Sequence, residues 1–369
     1  MLVIILIAFA VSPLPVLGES SPTVRLLLGQ NLPRAVISGD SLLIEKLEEG
    51  IWQPVIGRVR MAGFSPWRAG VRLEGSHSEE SLFRVKADKG MLQYAGLRRR
   101  GYLTVRNSSG GLMVVSHLPL ESYLAGVVNG EIDSSWPLEA VKAQVVAARS
   151  YALYQMSRGS VYFDLKTDVT DQVYAGVHSE DVRALEAVEM TRGQVLYKDG
   201  ELIQAFFHSS CGGSTTSSLD AWGVARPAHE SVTCGTCQDA PYARWNLPLS
   251  AGEIVEAVQT LVPHLSSLRF MGIHKRSGDG RVKTLYLETG EGRVLVDAGE
   301  FRKQIGYRRL LSTRFALGKS GERIILTGTG YGHGVGLCQW GARGSASRGM
   351  DYRQILRKYY AGAEVRRAY

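Results

Sequence analysis

The sequence predicts an α+β fold: a β-rich region over residues 23–116, then a mixed α+β region over residues 117–369 that forms a groove. Three observations predict it. Short apolar runs separated by Gly, Asn, Asp or Pro fill the first region, the pattern of strands and turns. The segments on either side of residue 131 change to three- and four-residue spacing, the pattern of amphipathic helices. Beyond residue 193 strand-like and helix-like stretches mix irregularly, with no repeat of fixed period.

In the first region Val24–Leu28, Leu42–Leu47, Val71–Glu74, Phe83–Lys86, Tyr102–Val105 and Leu112–Val115 read as strands, and no catalytic constellation falls among them. Pro119–Val128 reads as a helix, with Leu120, Tyr123, Leu124, Val127 and Val128 on one face. Trp136 to about Met156 reads as a second, with Leu138, Val141, Val145, Ala148 and Ala152 on its face and Ser135 as N-cap. Glu131 falls on the irregular link between them. A loop over residues 160–178 carries Asp168, Asp171, Gln172 and Tyr174, and Ser179 caps a third helix ending at Arg192-Gly193. Asp199-Gly200 sets a hairpin between Gln194–Tyr197 and Glu201–Phe207. Residues 209–250 are turn-rich. Ser250 with Glu253 makes a capping box, and so does Asp351 with Gln354. Between them lie strands at Val282–Glu288, Val294–Asp297 and Arg323–Leu326, a short helix at Glu300–Ile305, and a helix over Cys338–Arg348 weakened by Gly341 and Gly344.

With 369 residues, 44% of them hydrophobic, the chain can bury a core of about two domains, and 21% charged residues argue against global disorder. The net charge of +8 and pI near 9.3 favour anionic partners. The densest basic spot, Arg98–Arg100, falls short of a polybasic run, so nucleic-acid binding is not expected. Residues 1–11, MLVIILIAFAV, are continuously apolar but too short to span a bilayer, and Ser12, Pro13 and Pro15 break the run. Residues 1–18 therefore read as a secretory signal peptide, with an uncleaved anchor as the alternative and the one route to a membrane. Export to the periplasm or cell wall is expected.

Three constellations could carry chemistry. His208-x-x-Cys211 with Cys234-x-x-Cys237 has the format of a closed tetrahedral zinc site, because each x-x spacing lets two soft ligands converge on one ion. Four protein ligands would make that zinc structural. His229 is a further claimant, and four cysteines in an exported chain also allow two disulfides. Gly328–Gly336 (GTGYGHGVG) implies close backbone approach to a ligand or to another segment, without the setting of a dinucleotide fingerprint. Within it His333 could orient a substrate, and Gln339-Trp340 behind it suits a sugar-binding wall, with an aromatic face for stacking and an amide for hydroxyls. The carboxylates Glu131, Asp133, Asp168 and Asp171 complete the set. Neither G-x-S-x-G nor H-E-x-x-H occurs.

At these residues the chain resembles a known family. HLPLESYLAGVVNGEIDSSWPLEAVKAQVVAARSYAL (117–153), FFHSSCGGSTTS (206–217) and GTGYGHGVGLCQWGARGSASRG (328–349) look like the SpoIID/LytB family of bacterial cell-wall proteins, in order from about Val24 to the C-terminus. The resemblance implies that residues 117–369 are a catalytic region, a lytic transglycosylase that cleaves the MurNAc–GlcNAc bond of peptidoglycan glycan strands without water. The product is a 1,6-anhydro-MurNAc end. The family's catalytic glutamate matches Glu131, followed here by Ile132-Asp133 where the family commonly has Met-Pro. Its zinc-binding members use His and Cys around the motif matched by His208 and Cys211; Cys234 and Cys237 join them here on spacing. The family's other role is a non-catalytic wall-binding module that stimulates a cell-wall amidase, which would then be a partner.

The chemistry is compatible with a single carboxyl. Protonated, Glu131 donates to the glycosidic oxygen; ionised, it takes the proton of the sugar's C6 hydroxyl as that oxygen attacks the anomeric carbon. The donor role needs a raised pKa, which apolar walls give. Trp136 and Tyr174 are the expected walls, and Gln172, His333, Gln339 and Trp340 the expected substrate contacts.

Overall fold

A computed structural model describes residues 21–167, 171–290 and 292–369. The proposed signal peptide over residues 1–18 and the carboxylate of Asp168 lie outside the described residues.

The first region is one ten-stranded sheet. Its members are β1 (Thr23–Leu32), β2 (Ala35–Glu48), β3 (Ile51–Trp67), β4 (Gly70–Leu73), β5 (Glu79–Glu80), β6 (Leu82–Tyr94), β7 (Leu97–Arg99), β8 (Tyr102–Ser108), β9 (Gly111–Pro119) and the short β10 (Leu165–Lys166). The order is β10-β1-β9-β8-β6-β2-β3-β4-β5, with β7 on β6, and only the β1–β10 pair is parallel. Alternate residues such as Ile37, Ile44, Phe64, Phe83, Val85, Leu103 and Val105 are fully buried and form the sheet's own core, the period-2 consequence of the pleat.

The second region is organised around α2 (Leu138–Arg158), which follows α1 (Leu120–Glu131). Every residue of α2 from Ala140 to Ala152 is buried. A helix covered all round needs small or apolar residues on every side, and α2 supplies both. Its Val141, Val145, Ala148 and Ala152 pack with α1, β1 and α3 (Val182–Met190). Its Ala140, Ala143, Val146 and Ala147 pack on the opposite side, against strand β11 (Gln194–Lys198) and the C-terminal helices. The third helix begins later than Ser179 suggests: Asp181 is its N-cap, its carboxylate accepting from Ala184 N. Nor does Ser135 cap α2, which starts behind Pro137 without a side-chain cap.

Beyond β11 come β12 (Glu201–Leu202), β13 (Phe207–His208), α4 (Ser218–Trp222) and β14 (Trp245–Leu249). Then follow α5 (Ala251–Val258), β15 (Phe270–Arg276), β16 (Val282–Glu288), β17 (Arg293–Asp297), α6 (Ala298–Ile305), β18 (Phe315–Ser320) and β19 (Arg323–Gly328). The stretch from β14 to β19 folds into two three-stranded sheets around a core of its own, with Ile254, Leu285, Leu287, Phe301 and Leu326 at its centre. The chain closes with β20 (Leu337–Cys338), α7 (Gln339–Ala346), α8 (Tyr352–Tyr359) and β21 (Glu364–Arg367). β20 pairs in parallel with β13, and β21 pairs with β11, so the last thirty or so residues lock back onto the α2 layer.

Candidate active site and cysteine cluster

Glu131 is the last residue of α1, not a loop residue: the helix runs three residues past Val128. Gly130 allows this ending. A Cβ there would strike the carbonyl oxygen of Val173, so only glycine lets that loop pass against the helix end. The same approach lets Val173 N donate to Glu131 Oε1 at 2.7 Å. Ile132 is buried among the α1–α2 residues and anchors the chain just beyond the glutamate. Asp133 is exposed, and its Oδ1 accepts from Ser135 N at 2.8 Å while its carbonyl accepts from Trp136 N at 3.1 Å. This side-chain-stabilised turn fixes the path that a proline would otherwise stiffen.

The carboxyl opens into a cleft of about 390 Å³ lined by Asn129, Gly130, Glu131, Ile132, Asp133, Trp136, Ser209, Gln339 and Trp340. Burial pushes the Glu131 pKa up, and hydrogen bonds from Val173 N–H and the Gln339 amide only partly offset it. A position at a helix C-terminus, where no basic residue occupies the last turn, works in the same direction. Asp133 moves the other way: hydrogen bonds from Ser135 hold its pKa below the usual carboxylate range. Burial and local hydrogen bonding thus push the two carboxyls of the cleft in opposite directions. Asp171 lies outside this lining; its carboxylate is taken by Tyr151 OH and Lys166 N, at 2.8 Å each.

Trp136 and Trp340 form one wall, edge to face with ring centroids 5.0 Å apart, and the Arg343 guanidinium covers both. Ser209 carbonyl accepts from Trp340 N at 3.0 Å and sets the height of that wall. Of the proposed substrate contacts, Trp136, Gln339 and Trp340 line the cleft, whereas Gln172, Tyr174 and His333 do not. Gln172 is fully buried, accepting from Tyr123 OH at 2.8 Å and donating to Ala148 O at 3.1 Å. Tyr174 is buried against Tyr123, so it backs α1 from behind. His333 is a neutral strut. It accepts from Val335 N at Nδ1, bonds Phe207 O through Nε2 at 2.9 Å, and burial lowers its pKa to about 3. The glycines around it serve close approach to another segment: a Cβ on Gly330 or Gly336 would strike the backbone of Ser210 or Phe206. Ser209 and Asn129 lie within the 206–217 and 117–153 motifs but were not singled out as cleft residues.

Beside the cleft, Cys211, Cys234, Cys237 and Cys338 are buried with their sulfurs all within 4.8 Å of one another. The Cys211 and Cys237 sulfurs are 3.5 Å apart, and none of the four is in a disulfide. A tetrahedral zinc–thiolate site with bonds of about 2.3 Å needs sulfurs separated by about 3.8 Å, so the set suits such an ion. The convergent group differs from the expected one in membership: it contains Cys338 and not His208. His208 turns its ring to the glycine loop instead, with Nδ1 bonded to Val335 O at 3.1 Å. His229 is likewise outside the set, its Nδ1 bonded to Pro227 O at 2.6 Å. Cys338 lies in the 328–349 motif but carried no metal-site signal, because it stands far along the chain from Cys237 with no cysteine or histidine at x-x spacing.

Comparison with known proteins places this geometry. The model of the stage II sporulation protein family, SpoIID, matches residues 108–197, the segment holding α1, Glu131 and α2. A domain of unknown function matches residues 235–336, which includes the two-sheet unit from β14 to β19. An uncharacterized protein of Brachyspira hyodysenteriae is 33% identical over 256 residues, 69% of this chain and 68% of that protein. The amidase enhancer of Bacillus subtilis is 31% identical over 294 residues, but these make up only 40% of that longer protein. The stage II sporulation protein D of Bacillus subtilis is 27% identical over 270 residues, 69% of this chain and 76% of that protein. The chain belongs to the SpoIID family.

Proposed function

We propose that this protein acts on the bacterial cell wall as a peptidoglycan lytic transglycosylase, exported by its N-terminal segment and using Glu131 as sole acid and base. The observation that carries the reading is the environment of Glu131: a carboxyl at a helix C-terminus, made a weaker acid by burial, facing a cleft walled by two tryptophans. A raised pKa favours the protonated carboxyl, the form that can donate to a glycosidic oxygen. The resulting carboxylate, still held by Val173 N–H and Gln339, then accepts the proton of the C6 hydroxyl as that oxygen closes on the anomeric carbon. The bond broken is C1–O to the leaving sugar, and the bond formed is C1–O6 within the same ring. The net charge of +8 favours an anionic wall polymer.

One observation favours a second reading. The likeness to a protein named amidase enhancer is compatible with a wall-binding module that stimulates an amidase without cutting glycan. Digestion of purified sacculi separates the two. The first reading expects soluble anhydro-muropeptides from the native protein and none from Glu131→Gln. Binding without release by both proteins supports the module and refutes the enzyme.

A further inference from the structure

We propose that Arg99 and Tyr174 form a buried binding site for one small monovalent anion of the halide class, in the seam between the first-region sheet and the loop that carries Val173. Arg99 ends β7 and pairs with Leu92 of β6. Directly paired residues of an antiparallel ladder share a face, and Leu92 belongs to the sheet's apolar core, so the arginine enters that core. It is only 5% exposed. Its Nε and Nη1 are buried without a hydrogen-bond partner, and so is the hydroxyl of Tyr174, itself 4% exposed. A guanidinium taken out of water needs an opposite charge. Burial lowers the Arg99 pKa, and the titratable neighbours that oppose this are the phenols of Tyr174 and Tyr94, with no carboxylate among them. Glu180, on the same loop, is taken by Arg100, which grips both its oxygens at 3.1 and 2.6 Å. Nor does the Tyr174 ring substitute for a counter-ion. The Arg99 guanidinium lies 6.0 Å from its centroid, at the outer limit of a cation–π contact, whereas Arg72 stacks on Trp67 at 3.1 Å.

The chemistry of the site selects its ligand. Two guanidinium N–H groups are donors, and so is the phenol, because burial raises the Tyr174 pKa to about 12 and keeps its proton in place. The ligand is therefore an acceptor. One buried positive charge balances one negative charge; a dianion such as sulfate would bring in a second, uncompensated one. The site also bears on the cleft. A Cβ on Gly126 of α1 would strike the Tyr174 ring, so that ring lies directly against the helix. Ala175 N donates to Gly126 O at 3.1 Å, and Val173 N donates to Glu131 Oε1 at 2.7 Å. On the other side a Cβ on Gly176 would meet the Arg98 carbonyl oxygen at 3.3 Å, so the loop runs between α1 and β7. An anion joining Arg99 to Tyr174 pins this loop from the sheet side and steadies the N–H that holds Glu131. The site stands whether or not Glu131 is catalytic.

The test uses the full chain. Its melting temperature is followed as sodium chloride or bromide replaces sodium gluconate at constant ionic strength, which holds screening fixed. A saturable rise of about 2–4 °C is expected at ten times the half-saturating concentration. Arg99→Met should abolish that rise, and Tyr174→Phe should weaken halide affinity at least about fivefold. If Arg99→Met does not fold, Tyr174→Phe and a bromide-soaked crystal decide. An anomalous bromide peak within hydrogen-bond reach of both residues is expected. Water at that position, with a melting temperature indifferent to halide, would overturn the proposal. A peak without saturable stabilisation in solution would mark an adventitious ion only and overturn it equally. So would halide stabilisation that survives Arg99→Met or comes without a peak at this site. Amides of Val173 and Ala175 should exchange hydrogen at least about fivefold more slowly in saturating bromide than in gluconate, while those of β2 do not change. Equal exchange at Val173 and Ala175 would contradict the pinning of the loop.

Discussion

Glu131 is a carboxyl made a weaker acid by its surroundings, and its pH behaviour follows. Its pKa is raised in the fold, so the folded chain holds the proton more tightly than the unfolded chain. Stability is then lost as pH rises from the unfolded carboxylate range through the folded pKa. Glu131→Gln removes that loss while keeping an acceptor for Val173 N–H. It should melt higher than the native protein at about pH 7, with the difference closing as pH falls into the ordinary carboxylate range. It should also lose at least about 100-fold in glycan cleavage. Gln339 adds a second check. Its amide lowers the Glu131 pKa, so Gln339→Leu should shift the alkaline limb of the kcat/KM profile to higher pH. An unshifted limb would show that the amide serves substrate alone. Residue chemistry was partly legible beforehand. Glu131, Trp136, Gln339 and Trp340 stand out within their motifs by residue type, Ser209 and Asn129 share those motifs but are turned to the cleft only by folding, and Gln172 and Tyr174 are taken up by packing behind α1.

At the scale of elements, local signals read well and long-range ones did not. The capping boxes Ser250/Glu253 and Asp351/Gln354 form because both partners lie within one turn. Asp199 and Gly200, both at positive φ, turn the β11–β12 hairpin. By contrast the seventeen residues of β3 went unread, because its first half is solvated on both faces and shows no period-2 burial. Strand β14, with Pro248, and strand β18, with Gly318, are ordered by pairing with β19 and not by their own propensity. The glycines of α7 illustrate the conflict best. Gly341→Ala should gain up to about 1 kcal/mol in helix propensity, yet its methyl meets Tyr359 and Cys234. Overpacking wins, and a net loss of about 1–3 kcal/mol in denaturant unfolding is expected.

For the whole molecule, α2 joins two cores, and a buried ion pair pins it. Arg149 and Glu121 are both fully buried and meet at 2.7 Å, with Gly193 N and Tyr369 OH donating to the same carboxylate at 3.0 and 2.6 Å. This node connects α1, α2, the end of α3 and the C-terminal residue. Arg149→Met would strand a buried carboxylate, and a loss of about 3–5 kcal/mol in global stability is expected by chemical denaturation. Replacing both partners with apolar residues should cost much less. No periodicity announces such a pair, since nothing local marks Glu121 and Arg149, 28 residues apart, as partners. The β-rich beginning and helical middle were legible because burial there is repetitive; the separate core of residues 245–328 was not, being built from short strands joined late.

The central claim is that one carboxyl at the end of α1 cleaves glycan without water, and mass analysis of sacculus digests tests it most directly. The account predicts muropeptides ending in 1,6-anhydro-MurNAc from the native protein and none from Glu131→Gln. Products with ordinary reducing ends, which carry one added water, or anhydro products released equally by Glu131→Gln, would contradict it.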